Sequence, residues 1–319
     1  MLIRQHLVRA AKKLPPPVQR SLQRMVERRR EAARAKAVLS LVGQVALESP
    51  PCAICGGREI VAHTVFNGFK IVRCRNDGLI FTSPRPIDVA PFYDERYYKG
   101  EALFGYGDYT AHADGYAHQW SSRLEALEQD TPKHDGARLL DVGCATGNFL
   151  KLARSRGWDV AGIELSEWAV RTANEDHNLR VLQGSLPDPR VPSADYDVVT
   201  IFGCIEHLSD PRVVLQDIRR ALKPEGLLML STGVLQHEDP HRVSKWYYPP
   251  WHLYYFSEQT IRALLSECGF EVISYEEQDR HVPEYALMLV VARPDYSKLH
   301  SLPEASPSTC GPAGPEMGA

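Results

Sequence analysis

The chain turns on Arg138-Leu-Leu-Asp141-Val-Gly143-Cys-Ala-Thr-Gly147-Asn-Phe-Leu150, a short apolar run, a tight glycine turn and the opening of an amphipathic helix. A strand that delivers a carboxylate and two glycines into a helix start builds a cradle of backbone N–H groups. The positive end of the helix dipole then faces an anionic ligand group. Such a cradle suits a nucleotide-type cofactor.

Downstream of it, strand and helix patterns alternate, as a doubly wound α/β domain requires. The spacing predicts strands over 138–142, 158–164, 179–183, 196–202 and 227–231, and a helix over 148–156 stopped at Gly157. Asp210-Pro211 supplies an N-cap and a proline at the first helical position, and Lys223-Pro-Glu-Gly226 turns the chain into the fifth strand. Residues 121–129 read as a helix ahead of the first strand.

Two cofactor readings compete for the cradle. The hydride-transfer fingerprint G-x-G-x-x-G needs three small positions, and Gly143-Cys-Ala-Thr-Gly147 preceded by Asp141 does not fit it. A carboxylate at the end of strand one suits a ligand that presents an ammonium group, and Glu164 at the end of strand two can accept both hydroxyls of a ribose. S-adenosylmethionine carries that ammonium, that ribose, and a carboxylate for the backbone cradle.

Upstream, Cys52-Ala-Ile-Cys55-Gly-Gly and Cys74-Arg-Asn-Asp77-Gly78 read as two metal knuckles flanking a strand-like run over 65–72, the spacing of a ribbon-type zinc site. Three thiolates and the Asp77 carboxylate would close a tetrahedral shell around a structural zinc, worth on the order of 10 kcal/mol to so small a unit. The bland alternative is unmetallated surface cysteines; His63 reads as an ordinary strand residue. Between the knuckles and the cradle lies a tyrosine-rich stretch, Phe92-Tyr-Asp-Glu-Arg-Tyr97-Tyr98 and Phe104-Gly-Tyr106-Gly-Asp-Tyr109, suited to a lid over a ligand cleft or to plain aromatic packing.

Residues 1–50 form a basic helical arm, with eleven Lys/Arg against two Glu before position 41. Its thin apolar face, free of aromatics, favours packing on the body or on a partner subunit over contact with a membrane surface through residues 1–40. A net charge of −3 argues against bulk attraction to nucleic acid, and no apolar run approaches the roughly 18 residues that span a bilayer. The early charges at the amino end do not fit a secretory segment, and seven cysteines, an odd number, fit a reducing compartment, so a cytoplasmic protein is expected. The tail over 294–319, rich in Ser, Pro and Gly, is expected to be disordered.

Taken together, Leu140-Asp141-Val-Gly143-Cys-Ala-Thr-Gly147, Val160-Ala-Gly-Ile-Glu164, Cys204-Ile-Glu206-His207-Leu, Leu222-Lys-Pro-Glu-Gly226 and Cys268-Gly-Phe270 make the chain resemble a class I S-adenosylmethionine-dependent methyltransferase. More narrowly, it is similar to the bacterial group with a zinc ribbon before the catalytic domain. The resemblance covers residues 50 to 293 and implies a seven-stranded Rossmann-like sheet with one antiparallel final strand, closed by a hairpin of 271–275 and 286–291. The expected organisation is the arm over 1–50, the ribbon over 51–86, a lid and helix over 87–136, the methyltransferase domain over 137–293, and the tail.

By position, the resemblance assigns Asp141, Gly143 and Gly147 to the methionine part of the cofactor and Glu164 to the ribose, with Cys144 and Leu165 beside them. Ser185 and Leu186 would flank the adenine, and Phe202 and Gly203 would lie under the methyl-donor end. Ala145 departs from the usual glycine, which asks whether the position needs φ > 0 or only smallness. Ser185 stands where an acid commonly bonds the adenine amino group. Some family members hold a metal through two glutamates and a histidine after strand four; Gly203 occupies the first glutamate position, and no catalytic metal is expected.

The sulfonium methyl is already electrophilic, so the protein mainly aligns a nucleophile, worth up to about 7–11 kcal/mol, and a base adds about 10²–10⁴-fold for a hydroxyl. His207 is the first candidate base and His252 the second, the latter in the aromatic insertion Trp246-Tyr-Tyr-Pro-Pro-Trp251-His252-Leu-Tyr254, which also contains His237 and His241 upstream. The expected activity is methyl transfer to a hydroxyl or sugar-linked carbon of a small biosynthetic intermediate. Two rivals are a nucleic-acid methyltransferase gripping through ribbon and arm, and a cofactor-binding module without turnover.

Overall fold

The computed structural model describes residues 45–99, 113–131, 136–235, 246–278 and 286–298, with the single positions 36 and 43. Of the arm over 1–50 only positions 36, 43 and 45–50 are described, and of the tail over 294–319 only 294–298, where Pro294 ends a strand and Tyr296–Lys298 form a 3-10 turn; Phe104, Tyr106, Tyr109, His237 and His241 lie outside the described residues.

The first described strand, β1 (Leu47–Glu48), pairs antiparallel with β5 (Arg85–Pro86). Between them β2 (Ile60–Phe66) and β3 (Phe69–Cys74) form a hairpin, and β4 (Ile80–Thr82) adds to β3. This corrects the single run expected over 65–72. Asn67 and Gly68 both take left-handed backbone, at φ 50° and 82°, and an Asn-Gly pair with that geometry turns a hairpin. Helix α1 (Glu95–Tyr98) starts on Asp94, whose carboxylate accepts from the amides of Arg96 and Tyr97, and α2 (Ala113–Asp130) runs further upstream than the predicted 121–129.

The main sheet follows in the predicted alternation: β6 (Arg138–Val142), α3 (Asn148–Ser155), β7 (Asp159–Glu164), α4 (Glu167–His177), β8 (Val181–Gln183), β9 (Tyr196–Phe202), α5 (Pro211–Ala221) and β10 (Leu222–Gly233). The Lys223-Pro-Glu-Gly226 turn appears inside β10 as a register shift between Leu222 and Leu227. Then come β11 (Tyr254–Tyr255), α6 (Glu258–Glu267), and the closing strands β12 (Phe270–Gln278) and β13 (Leu287–Pro294). The seven-stranded order is β12-β13-β10-β9-β6-β7-β8, with β13 antiparallel to both neighbours and the other neighbouring pairs parallel. The seven strands, the antiparallel final strand and the closing hairpin are those implied by the family resemblance.

Side-chain alternation along the strands feeds two apolar layers. Leu140, Val199, Ile201, Leu228 and Leu230 pack with Leu215 and Ile218 of α5 and Leu264 of α6. Leu139, Val198 and Met229 pack with Leu124 and Leu127 of α2 and Phe149 and Leu150 of α3. A period of two on buried strands serves both faces, and burying each such side chain contributes about 1.5–3 kcal/mol. The first layer also takes in Cys52, Ile54, Val72, Cys74, Leu79 and Phe81. The knuckle segment therefore shares the main core, and its folding does not depend on a metal alone.

The knuckle sheet has the order β11-β4-β3-β2, so its outer strand comes from beyond β10. Tyr254 and Tyr255 pair with Phe81 and Ile80 of β4, and the Thr82 amide donates to the Leu253 carbonyl at 2.9 Å. No helix among the described residues is long and apolar enough to cross a membrane.

Candidate cofactor and acceptor site

Adjacent parallel strands β6, β7 and β9 end at one edge of the sheet, and a cleft of about 460 Å³ opens there. It is lined by Gly143 from the end of β6, Glu164 and Leu165 from β7, Ser185 and Leu186 from the turn after β8, and Phe202 and Gly203 from β9. Gly143 sits at φ 73°, and a Cβ there would lie 2.5 Å from Cys204 Sγ, so the turn needs glycine for space as well as conformation.

Three of the expected cofactor residues lie behind this surface. Asp141 is buried, and its Oδ1 accepts from the Thr200 hydroxyl at 2.7 Å. Burial pushes its carboxyl up to about 7; the neighbouring Glu164 adds to the shift, while Thr200 and Arg123 oppose it. Cys144 turns its side chain into the core, where Sγ would meet a Cβ on Gly162 at 2.6 Å. Gly147 caps α3 at φ 78°, with Leu179 only 2.4 Å from where its Cβ would be. Its role is to let the helix start pack against α4 and the following turn.

Glu164 is the most heavily bonded acid of the cleft. Oε1 accepts from the Ser166 amide at 2.9 Å and the Tyr98 hydroxyl at 3.2 Å, and Oε2 accepts from the Ala145 amide at 3.0 Å. Ala145 is at φ 49°, so the position does use left-handed backbone, and that conformation aims its N–H at Glu164. A carboxylate offers about four lone-pair positions, and three are filled here. A ribose diol needs two, so the Tyr98 hydroxyl holds a place that a nucleoside would claim. Tyr98 also stacks on Trp168 at 5.6 Å between centroids.

The far side of the cleft is aromatic. Tyr93 and Tyr97 line it from the segment ahead of α1 and from α1 itself, and His207 lines it from the single 3-10 turn Ile205–His207 after β9. His207 Nδ1 lies 2.9 Å from the Tyr93 hydroxyl and 3.0 Å from the Trp251 carbonyl. A carbonyl only accepts, so Nδ1 carries the proton and Nε2 a free lone pair. His252 stands behind His207 with ring centroids 4.6 Å apart, and its Nδ1 lies 2.8 Å from the Trp246 carbonyl, which fixes the same tautomer. Burial lowers both imidazoles, His252 to about 4, so both are neutral near pH 7.

In the knuckle segment, the ligand atoms of Cys52, Cys55, Cys74 and Asp77 lie within 4.8 Å of one another, and the three cysteines are free thiols. The Ile54 amide donates to Cys52 Sγ and the Gly57 amide to Cys55 Sγ, both at 3.4 Å, an arrangement that supports charge on sulfur. Cys52 Sγ lies 3.1 Å from Asp77 Oδ2, and Cys55 Sγ lies 3.6 Å from Cys74 Sγ. This donor set fits a tetrahedral zinc.

Sequence reasoning did not single out Thr200, Arg123 or Glu206 as site residues. Arg123 of α2 is buried and places its guanidinium 4.5 Å from the Phe202 ring centroid, and Thr200 reaches Asp141 across two strands. A polar residue within an apolar strand was the available signal for Thr200; Arg123 sits on a helix face that had no visible partner.

Residues 109–275 match a family described as a methyltransferase domain. That is more than half of the chain, and the protein belongs to the class I S-adenosylmethionine-dependent methyltransferases. Among curated relatives it is 35% identical over 117 residues to a ubiquinone biosynthesis O-methyltransferase of Leptothrix cholodnii, covering 34% of this chain and 50% of that protein. To an O-methyltransferase of Pyrenophora dematioidea it is 27% identical over 169 residues, covering 50% and 63%. The chain thus spans about half the length of the first of these relatives. Among solved structures, an S-adenosylmethionine-dependent methyltransferase from Mesorhizobium loti aligns with a TM-score of 0.44 at 20% identity, over 53% of this chain and 96% of that one.

Proposed function

We propose that the protein transfers the methyl group of S-adenosylmethionine to a hydroxyl of a small-molecule acceptor. The observation that carries this reading is the meeting, in one cleft, of Gly143, Glu164 and Gly203 with the neutral imidazole of His207. Asp141 would face the ammonium of the methionine part, Glu164 the ribose, and Ser185 and Leu186 the adenine. The acceptor would enter between Tyr93, Tyr97 and His207, with its hydroxyl proton passing to the imidazole of His207. O-methylation is supported by the O-methyltransferase activity of the relatives, and an acceptor with an apolar or ring-shaped body suits the aromatic wall. Replacement of Glu164 by Ala is expected to weaken S-adenosylmethionine binding at least about 100-fold by calorimetry, since hydrogen bonds to a charged group contribute about 1.5–3 kcal/mol and two hydroxyls are served. Unchanged affinity in a folded Glu164→Ala protein would overturn the reading.

Cys52, Cys55, Cys74 and Asp77 are proposed to hold one structural zinc, in a ribbon over 51–86 that precedes the catalytic body over 137–293. Elemental analysis should find zinc in the purified protein, and Cys74→Ser should lower its content by about one ion per chain. The six described cysteines are free, consistent with a cytoplasmic setting.

A further inference from the structure

Glu164 is asked to accept more hydrogen bonds than it has room for. Its carboxylate offers about four lone-pair positions, and the amides of Ser166 and Ala145 and the hydroxyl of Tyr98 take three of them. A ribose that donates both hydroxyls to Glu164 needs two, so one of the three donors has to withdraw. They differ in how firmly they are held. Ser166 is the N-cap of α4, its hydroxyl accepting from the Ala169 amide, and that turn fixes its own N–H. Ala145 is locked at φ 49° in the turn that joins β6 to α3. Tyr98 alone reaches Glu164 through a side chain, from the last residue of the four-residue helix α1. A helix that short has little stability of its own and stays where its packing puts it.

We propose that Tyr98 is an internal competitor of the cofactor: its hydroxyl stands in for a ribose hydroxyl on Glu164 and must withdraw before the nucleoside can engage both carboxylate oxygens. The proposal rests on the cofactor reading of this cleft. Binding then draws only on the molecules in which Tyr98 has left Glu164, and the apparent affinity is lowered by that fraction. The ring has partners that keep it in place without the hydroxyl. It stacks on Trp168 at 5.6 Å between centroids and meets Tyr97 edge-on at 5.1 Å, and Tyr97 in turn meets Tyr93 at 5.0 Å. The hydroxyl of Tyr93, by contrast, lies against His207 Nδ1 at 2.9 Å, so one aromatic wall presents two hydroxyls to two different groups. Competition for the ribose is a property of the Tyr98 hydroxyl, separable from the packing of the wall.

The test is calorimetry of S-adenosylmethionine with the full chain as wild type and as Tyr98→Phe. Phenylalanine keeps the ring on Trp168 and removes only the hydroxyl, and binding tighter by about 3–10-fold is expected, the net worth of one hydrogen bond. A residue that held the cofactor, or merely held the fold, would give the opposite sign or none. Tyr93→Phe removes the neighbouring hydroxyl and should leave this affinity within about twofold. S-adenosylhomocysteine should show the same gain in Tyr98→Phe, whereas its 2′,3′-dideoxy analogue makes no claim on Glu164 and should bind wild type and variant within about twofold of each other. Thermal melts of the unliganded proteins confirm that each is folded. Unchanged or weaker binding by Tyr98→Phe, or a gain shared by the dideoxy analogue or by Tyr93→Phe, overturns the competition while the cofactor reading stands. Failure of the wild type to bind S-adenosylmethionine or S-adenosylhomocysteine at all would overturn the cofactor reading, and the competition with it.

Discussion

Gly143, Glu164 and Gly203 reach the cleft from the ends of three neighbouring parallel strands, whereas Tyr93 and His207 reach it from the segment before α1 and from one 3-10 turn, with His252 behind His207 from a loop beyond β10. The first group needs only the sheet to form, because each residue sits at a strand end whose register is set by neighbours buried on both faces. The second group needs three segments far apart in the chain to pack together. Phe92, Tyr97 and Tyr98 do this by burying against Trp251 and Ala169. The proposed cofactor side is thus built into the scaffold, and the proposed acceptor side is assembled onto it.

If the two halves are separable in this way, damage to one should leave the other intact. The largest expected effect is on the acceptor side. His207→Gln should lower kcat about 10²–10⁴-fold for any hydroxyl the wild type methylates, with S-adenosylmethionine affinity within about twofold. A parallel loss of cofactor affinity would break the comparison. On the cofactor side, Asp141 must be ionised to meet an ammonium, and burial pushes its carboxyl up to about 7. The protonated form takes over as pH falls through that value. Cofactor affinity should therefore be about tenfold weaker at pH 6 than at pH 8, measured by calorimetry. A flat profile would mean that another group meets the ammonium. The smallest effect concerns Ala145, which holds left-handed backbone at φ 49° to present its amide to Glu164. Ala145→Gly relieves a cost of about 1–2 kcal/mol, offset in part by the larger entropy glycine loses on folding. The net gain of about 0.5–1 kcal/mol should raise the melting temperature by roughly 1–3 °C.

The same contrast explains what could be read from the residues alone. Strand ends, glycine turns and caps are local, and Asp141, Glu164 and Asp210-Pro211 were each legible from a few neighbouring residues, whereas the closing hairpin followed from the family resemblance. The question raised by Ala145 could be framed but not answered, because smallness and positive φ leave the same trace in a sequence. The Asn67-Gly68 turn was a local signal that the strand-like run over 65–72 obscured. Nothing local links Glu206 to His252, since their meeting depends on how the insertion folds back over β9. The packing of Tyr98 onto Glu164 and of Arg123 onto Phe202 is equally non-local.

The pairing of β4 with β11 also bears on how such a protein can be re-engineered. Phe81 and Ile80 lie opposite Tyr254 and Tyr255, and the Thr82 amide bonds the carbonyl of Leu253, the residue after His252. Arg85 reaches from the same segment to the carbonyl of Ser209, two residues past His207. The amino-terminal segment over β2–β4 and the loop after β10 are therefore one structural unit in two pieces. A graft that exchanges the insertion to change the acceptor, without the matching ribbon, would sever the strand pairing that carries His252.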